Sequence, residues 1–245
     1  MCGLTGFWQL IERPANAVLL NLVEPMTNAL LHRGPDDSGP WVDVESGIAL
    51  GHRRLAILDL SPTGHQPMQS DSNHFVIAYN GEIYNHLSIR AELDSQGLSP
   101  VWRGHSDTET LLAAIQVWGL EATLHKCVGM LVIALWDKVN RTLELARDGL
   151  GEKPLYYGRV EGAFLFGSEL KSLKAYSGFD AQIYREALAQ YLRYHYAPAP
   201  LNIYKRIFKL EPGCILKIVH TPPEKPPVEP LPVGEFFGDL SLRRW

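Results

Sequence analysis

The sequence predicts an α+β fold, and three observations carry that reading. The run Met130-Leu131-Val132-Ile133-Ala134-Leu135-Trp136 is apolar throughout, has strand length, and opens a β-rich block. Apolar residues recur at helical spacing over Ala15–Leu31 (Val18, Leu19, Leu22, Met26, Leu30). The strands lack polar alternation, which suggests sheet covered on both faces.

The elements follow in order. Residues 3–8 read as a short buried strand. Pro25 interrupts the first helical pattern and either kinks one helix or opens a second. Ile48–Gly51 and Phe75–Tyr79 read as strands, Leu87–Gln96 as a helix closed by Gly97, and Thr108–Trp118 as a helix with Ser106 or Asp107 as N-cap. The β-rich block comprises Gly129–Trp136, Thr142–Ala146, Pro154–Tyr157 and Ala163–Phe166, with Asp137-Lys138-Val139-Asn140 as a hairpin turn. A helix over Ile183–Tyr194 and short strands near Ile207 and Ile215 close the globular part, residues 2–219. Residues 220–245 start proline-rich and are expected to form a tail that does not pack.

Composition narrows the function classes. A chain of 245 residues, 46% hydrophobic and 20% charged, with net charge −4, is an ordinary soluble globular protein. Nucleic acid and anionic membranes are poor partners for that charge. No run reaches the roughly 20 apolar residues of a membrane span, and no signal peptide is evident. Three scattered cysteines give no disulfide framework, and the nine histidines show no ligand spacing, so neither a metal site nor an oxidising compartment is expected. The cytoplasm is the expected location.

The chemistry begins at residue two. Removal of Met1 from Met1-Cys2-Gly3 leaves a cysteine whose own α-amine, with an ordinary pKa of roughly 7.7–8.0, is a base beside the thiol. Asn80-Gly81-Glu82-Ile83-Tyr84-Asn85 follows a strand; it is either a tight turn or a pair of oxyanion donors, the Asn80 amide and the Gly81 N–H. In Gly51-His52-Arg53-Arg54-Leu55-Ala56-Ile57-Leu58-Asp59 an arginine fork suits a substrate carboxylate. In Gly104-His105-Ser106-Asp107-Thr108-Glu109, Asp107 is either a helix cap or a partner for an ammonium. Leu31–Gly39 reads as a polar loop without an assignable role. For Arg147-Asp148 and Ser168-Glu169 a structural ion pair or cap is the better reading. Together the clusters supply nucleophile, base, oxyanion donors and clamps for a carboxylate and an ammonium; glutamine fits.

The order of these motifs, with His32-Arg33-Gly34-Pro35-Asp36 and Ser106-Asp107, resembles the class II glutamine amidotransferases. Asn80-Gly81-Glu82-Ile83-Tyr84-Asn85-His86 and the segment Arg147–Tyr157 favour the glutaminase half of glutamine-dependent asparagine synthetase. The resemblance covers residues 2–219. It implies a four-layer αββα sandwich of the N-terminal-nucleophile hydrolase type. It implies Cys2 as nucleophile, Asn80 and Gly81 as oxyanion hole, Arg54 on the substrate carboxylate, and Glu82 and Asp107 around its ammonium. The backbone near Leu55 and Ile57 would line the pocket.

That family's second half makes an acyl-adenylate from ATP and aspartate through a Ser-Gly-Gly-x-Asp-Ser loop, and no Ser-Gly-Gly occurs in this chain. The expected activity is therefore glutamine hydrolysis without a cofactor; ATP and magnesium would belong to the absent synthetase half. Truncation is the preferred reading of the chain's end. A separate acceptor or synthetase domain is a candidate partner, and a homodimer is left open. Two rival functions remain: an N-terminal-cysteine acylase acting on another amide, and a non-catalytic fragment or regulatory module.

Overall fold

The computed structural model describes residues 1–10, 14–160, 162–223 and 229–245. Its elements are β1 (Gly3–Gln9), α1 (Asn16–Asn28), β2 (Asp37–Asp43), β3 (Ile48–Arg54), β4 (Met68–Gln69), β5 (Phe75–Ile83), α2 (His86–Ser95), α3 (Asp107–Trp118) and α4 (Leu120–Lys126). They continue as β6 (Gly129–Asp137), β7 (Thr142–Arg147), β8 (Tyr156–Val160), β9 (Ala163–Gly167), α5 (Leu170–Lys174), α6 (Arg185–Tyr194), β10 (Ile207–Lys209), β11 (Cys214–Val219), β12 (Phe236–Phe237) and β13 (Leu240–Arg244).

Two sheets form, ordered β10-β8-β9-β1-β3-β2 and β12-β13-β11-β7-β6-β5-β4, with every pairing antiparallel. The pleat explains why the strands read as continuous apolar runs. In β6, Val132, Ala134 and Trp136 join the core between the sheets, while Leu131, Ile133 and Leu135 join a second core under α2, α3 and α4. In β1, Leu4 and Trp8 face the inter-sheet core, and Phe7 faces a third core under α1 and α5. Helix, sheet, sheet, helix is the resulting order of layers. Trp8 and Trp136 close the inter-sheet layer edge to face, with ring centroids 4.8 Å apart.

Three expectations need correction. Residues 37–39 are not loop: after a 3-10 turn at Leu31–Arg33, β2 pairs Asp37 with Arg54 through Asp43 with Ile48. Asn80-Gly81 is not a turn after a strand, because β5 continues to Ile83, paired residue by residue with β6. Nor does the chain's end stay unpacked. Leu240 and Leu242 alternate into the inter-sheet core, β13 pairs with β11, and the Trp245 indole donates to Arg147 O at 3.1 Å. Prolines upstream masked a two-residue period in Leu240-Ser241-Leu242. Part of the proline-rich stretch, 224–228, lies outside the described residues. Pro25 does not open a second helix; it sits inside the last turn of α1.

Candidate functional site

Strand alternation assembles the site. Ile48 and Leu50 of β3 face the inter-sheet core, so His52 and Arg54 follow on the same face while Arg53 turns to Asn28 of α1. Val76 and Ala78 of β5 face that core too, which carries Asn80 inward from the opposite sheet. The register Gly3↔Arg53 sets Cys2, just before β1, beside Arg54. One end of the inter-sheet layer thus gathers a pocket lined by Cys2, Arg54, Asn80, Gly81, Glu82 and Asp107. Leu55 and Ile57 line it as well.

The Cys2 thiol is cradled by one residue. Leu55 N–H donates to Sγ at 3.3 Å, and the thiol faces Leu55 O at 3.6 Å. Burial pushes the thiol pKa up; the Leu55 N–H, the N-terminal ammonium and Arg54 pull against it. A thiol held protonated by burial needs a base to react. From behind, Arg33 Nε donates to Cys2 O at 2.8 Å, and its Nη1 is paired with Glu169 at 2.8 Å. The Leu4 N–H donates to Ser168 Oγ at 3.1 Å. This gives the His32–Asp36 motif and the Ser168-Glu169 pair a job: they fix the residue that bears the thiol.

The β5 edge is built to leave donors open. Tyr79 N–H donates to Gln66 Oε1 at 2.7 Å and Ile83 N–H to Asp107 Oδ2 at 3.0 Å, both on the edge that β4 covers only at Val76 and Ile77. By the same alternation the Gly81 N–H points to this edge, between those two. A Cβ at Gly81 would lie 2.2 Å from Met130 O, so only glycine fits. Asn80 is buried and its Nδ2 has no hydrogen-bond partner. Other buried donors of the described residues lack partners too, among them Arg33 Nη2 and Asn202 Nδ2, but of these residues only Asn80 lines the pocket.

Arg54 is buried, with Nη1 donating to Ser61 O at 2.9 Å and Nη2 to Asp59 O. A Cβ on Gly64 would strike its guanidinium, so that glycine makes room for it. Asp59 is held ionised by the Ser61 hydroxyl and the His105 and Ser61 N–H groups, with its carboxyl far below the ordinary range. Ser106 is the cap of α3, its hydroxyl accepting from Glu109 N–H at 3.3 Å. That frees Asp107, whose Oδ2 accepts from the Tyr79 hydroxyl at 2.9 Å as well as from Ile83. Glu82 lines the pocket half-buried.

The sequence reading missed Gln66, Asp59 and Lys153. Gln66 carried no signal; Asp59 and Lys153 lay inside motifs noted for other reasons. Lys153 is buried, lines the pocket, and donates from Nζ to Met1 Sδ at 3.2 Å. Among the described residues no group of three or more His, Cys, Asp or Glu could hold a metal, and no helix is long and apolar enough to cross a membrane.

Two facing antiparallel sheets between helical layers, with a cysteine entering the first strand, define an N-terminal-nucleophile hydrolase-like fold of the glutamine amidotransferase type. The comparisons fix the family: the model of the glutamine amidotransferase domain matches residues 1–225, and the chain belongs to that family. It is 37% identical over 213 residues to asparagine synthetase [glutamine-hydrolyzing] 1 of Bacillus subtilis, covering 87% of this chain and 33% of that protein. A putative asparagine synthetase [glutamine-hydrolyzing] of Mycobacterium bovis is 36% identical over 234 residues, covering 89% of this chain and 35% of its own length. The chain thus spans about a third of these relatives. In fold it matches glutamine phosphoribosylpyrophosphate amidotransferase from B. subtilis with a TM-score of 0.68 at 19% identity, over 99% of this chain and 49% of that one.

Proposed function

We propose that this chain hydrolyses glutamine to glutamate and ammonia through a thioester on Cys2. One observation carries the reading: a buried, unpartnered amide donor, Asn80 Nδ2, shares a pocket with the Cys2 thiol. An orphaned donor in a pocket costs stability unless a ligand oxygen completes it. After loss of Met1 the Cys2 α-amine takes the thiol proton, directly or through one water. The thiolate attacks the glutamine side-chain carbonyl, and Asn80 Nδ2 with the Gly81 N–H receives the oxyanion. As the intermediate collapses the α-ammonium gives that proton to the departing nitrogen and ammonia leaves; the freed amine then takes a proton from water, which cleaves the γ-glutamyl thioester, and returns it to the sulfur, releasing glutamate and restoring the thiol. Arg54 meets the substrate carboxylate, and Glu82 and Asp107 meet its ammonium.

The reaction calls for no metal or cofactor. Making asparagine from the ammonia would require ATP, magnesium and an acceptor domain of the kind the longer relatives' names imply, working in the cytoplasm. Cys2→Ala tests the reading: glutaminase activity falls to background while thermal unfolding is unchanged. Wild-type turnover in that variant, or a mass spectrum showing Met1 retained on active protein, overturns it. Assaying glutamine beside N-acyl amides separates it from an acylase, which has no need of an Arg54 and Asp107 clamp.

A further inference from the structure

Lys153 belongs to the loop between β7 and β8, and its backbone is fixed there: its N–H donates to Asp148 Oδ2 at 3.0 Å and its carbonyl accepts from Arg147 Nε at 2.7 Å. The side chain leaves that loop for the pocket. It is 3% exposed, and its ammonium forms no ion pair among the described residues. Its hydrogen bond there goes to a thioether, Met1 Sδ, at 3.2 Å. A thioether is a weak acceptor. Burying an ammonium against it is costly, and the fold holds the ammonium beside the one residue whose removal would create the active N-terminus.

We propose that Lys153 is a positioning residue for the catalytic base: with Met1 removed, its ammonium faces the Cys2 α-amine and keeps that amine unprotonated near neutral pH. The proposal rests on the glutaminase reading. A cation beside an amine disfavours the amine's charged form and leaves its lone pair free to take the thiol proton. Without such a cation the balance runs the other way. The charged and titratable groups that line this pocket are the Cys2 thiol itself, Arg54 from β3, Asp59 from the loop after it, Tyr79 and Glu82 from β5, Asp107 from α3 and Lys153. Arg33, paired with Glu169, holds the Cys2 carbonyl. Glu82 and Asp107 favour a protonated amine, and in the glutaminase reading the charge of Arg54 is met by the substrate carboxylate. Among the described residues Lys153 is a pocket cation with no ion pair, and its charge opposes the acids.

The test is the pH profile of kcat/KM for glutamine, measured on protein shown by mass to lack Met1. In Lys153→Met the acidic limb moves up by roughly one pH unit, and in Lys153→Arg it returns to the wild-type midpoint. A purely structural lysine lowers the plateau and leaves the limb where it was. Should Lys153→Met turn over too slowly to profile, titration of 13C-labelled Cys2 by NMR reads the amine directly, with the same upward shift required. An unmoved midpoint in either measurement overturns the role of Lys153 while the glutaminase reading stands. Wild-type protein that lacks Met1 and has no glutaminase activity takes down both.

Discussion

The loop from Arg147 to Lys153, anchored by the buried Asp148, and the pocket beside it are both rich in polar atoms, yet they are finished to different degrees. In the loop, Arg147 donates to three carbonyls, of Lys153, Gly151 and Leu210, at 2.7, 2.6 and 2.5 Å. Asp148 accepts the N–H groups of Leu150, Glu152 and Lys153 at 3.1, 2.8 and 3.0 Å. In the pocket, Asn80 Nδ2 has no partner and Lys153 Nζ meets a thioether. A closed polar network specifies a conformation; an open one at the mouth of a pocket is prepared for a molecule that is not part of the chain. Removing a member of each should therefore have opposite consequences for stability and activity.

The largest effect is expected in the closed region. Asp148 is 2% exposed, and Asp148→Ala would leave three backbone N–H groups without their acceptor. The Lys153 N–H is buried and the other two are part-buried and reachable by water, so at about 1–3 kcal/mol for a buried donor left unmade, with the charge-assisted bonds of the others lost besides, the loss is roughly 3–5 kcal/mol, read as a lower urea midpoint. Asn80→Ala reverses the pattern. It deletes an amide whose donor was already unpaired, so stability moves by less than about 1 kcal/mol. The rate of glutamine hydrolysis falls ~10²–10³-fold, the usual loss for one oxyanion donor. Equal stability losses in the two variants would erase the distinction between the regions.

The same contrast explains what could be read from the sequence. The inter-sheet strand at Val132 and Trp136 was legible because both are buried residues in one uninterrupted apolar run. The residue types of the site were legible as motifs, since nucleophile, donors and clamps each need particular side chains. What escaped was long-range closure. Nothing local says that Gln66 will hold Tyr79 N–H, that Arg33 will reach Cys2 O, or that Leu240 and Leu242 will complete the core. Asn80-Gly81 was ambiguous for a related reason: the pair suits a tight turn, and pairing with β6 decides for strand.

His52 lies between the two extremes, and its effect appears only as the pH falls. It is fully buried between the sheets, with Nε2 on Tyr79 O at 2.8 Å and Nδ1 unpartnered. Burial depresses its pKa from 6.5 to about 4, with Arg54 also lowering it and the Tyr79 carbonyl partly opposing. The unfolded chain therefore binds a proton in the window from about pH 6.5 down to 4 that the folded chain refuses. Stability contributed by neutral His52 is fully present above that window and is lost as pH falls through it, by roughly 3 kcal/mol. His52→Gln keeps an amide donor for Tyr79 O and cannot titrate. Urea unfolding at pH 7 and pH 4 should show a smaller acid loss in His52→Gln than in wild type. Equal losses would mean that the half-finished polar contact between the sheets takes its proton as readily folded as unfolded, and that His52 belongs with the open region rather than the closed one.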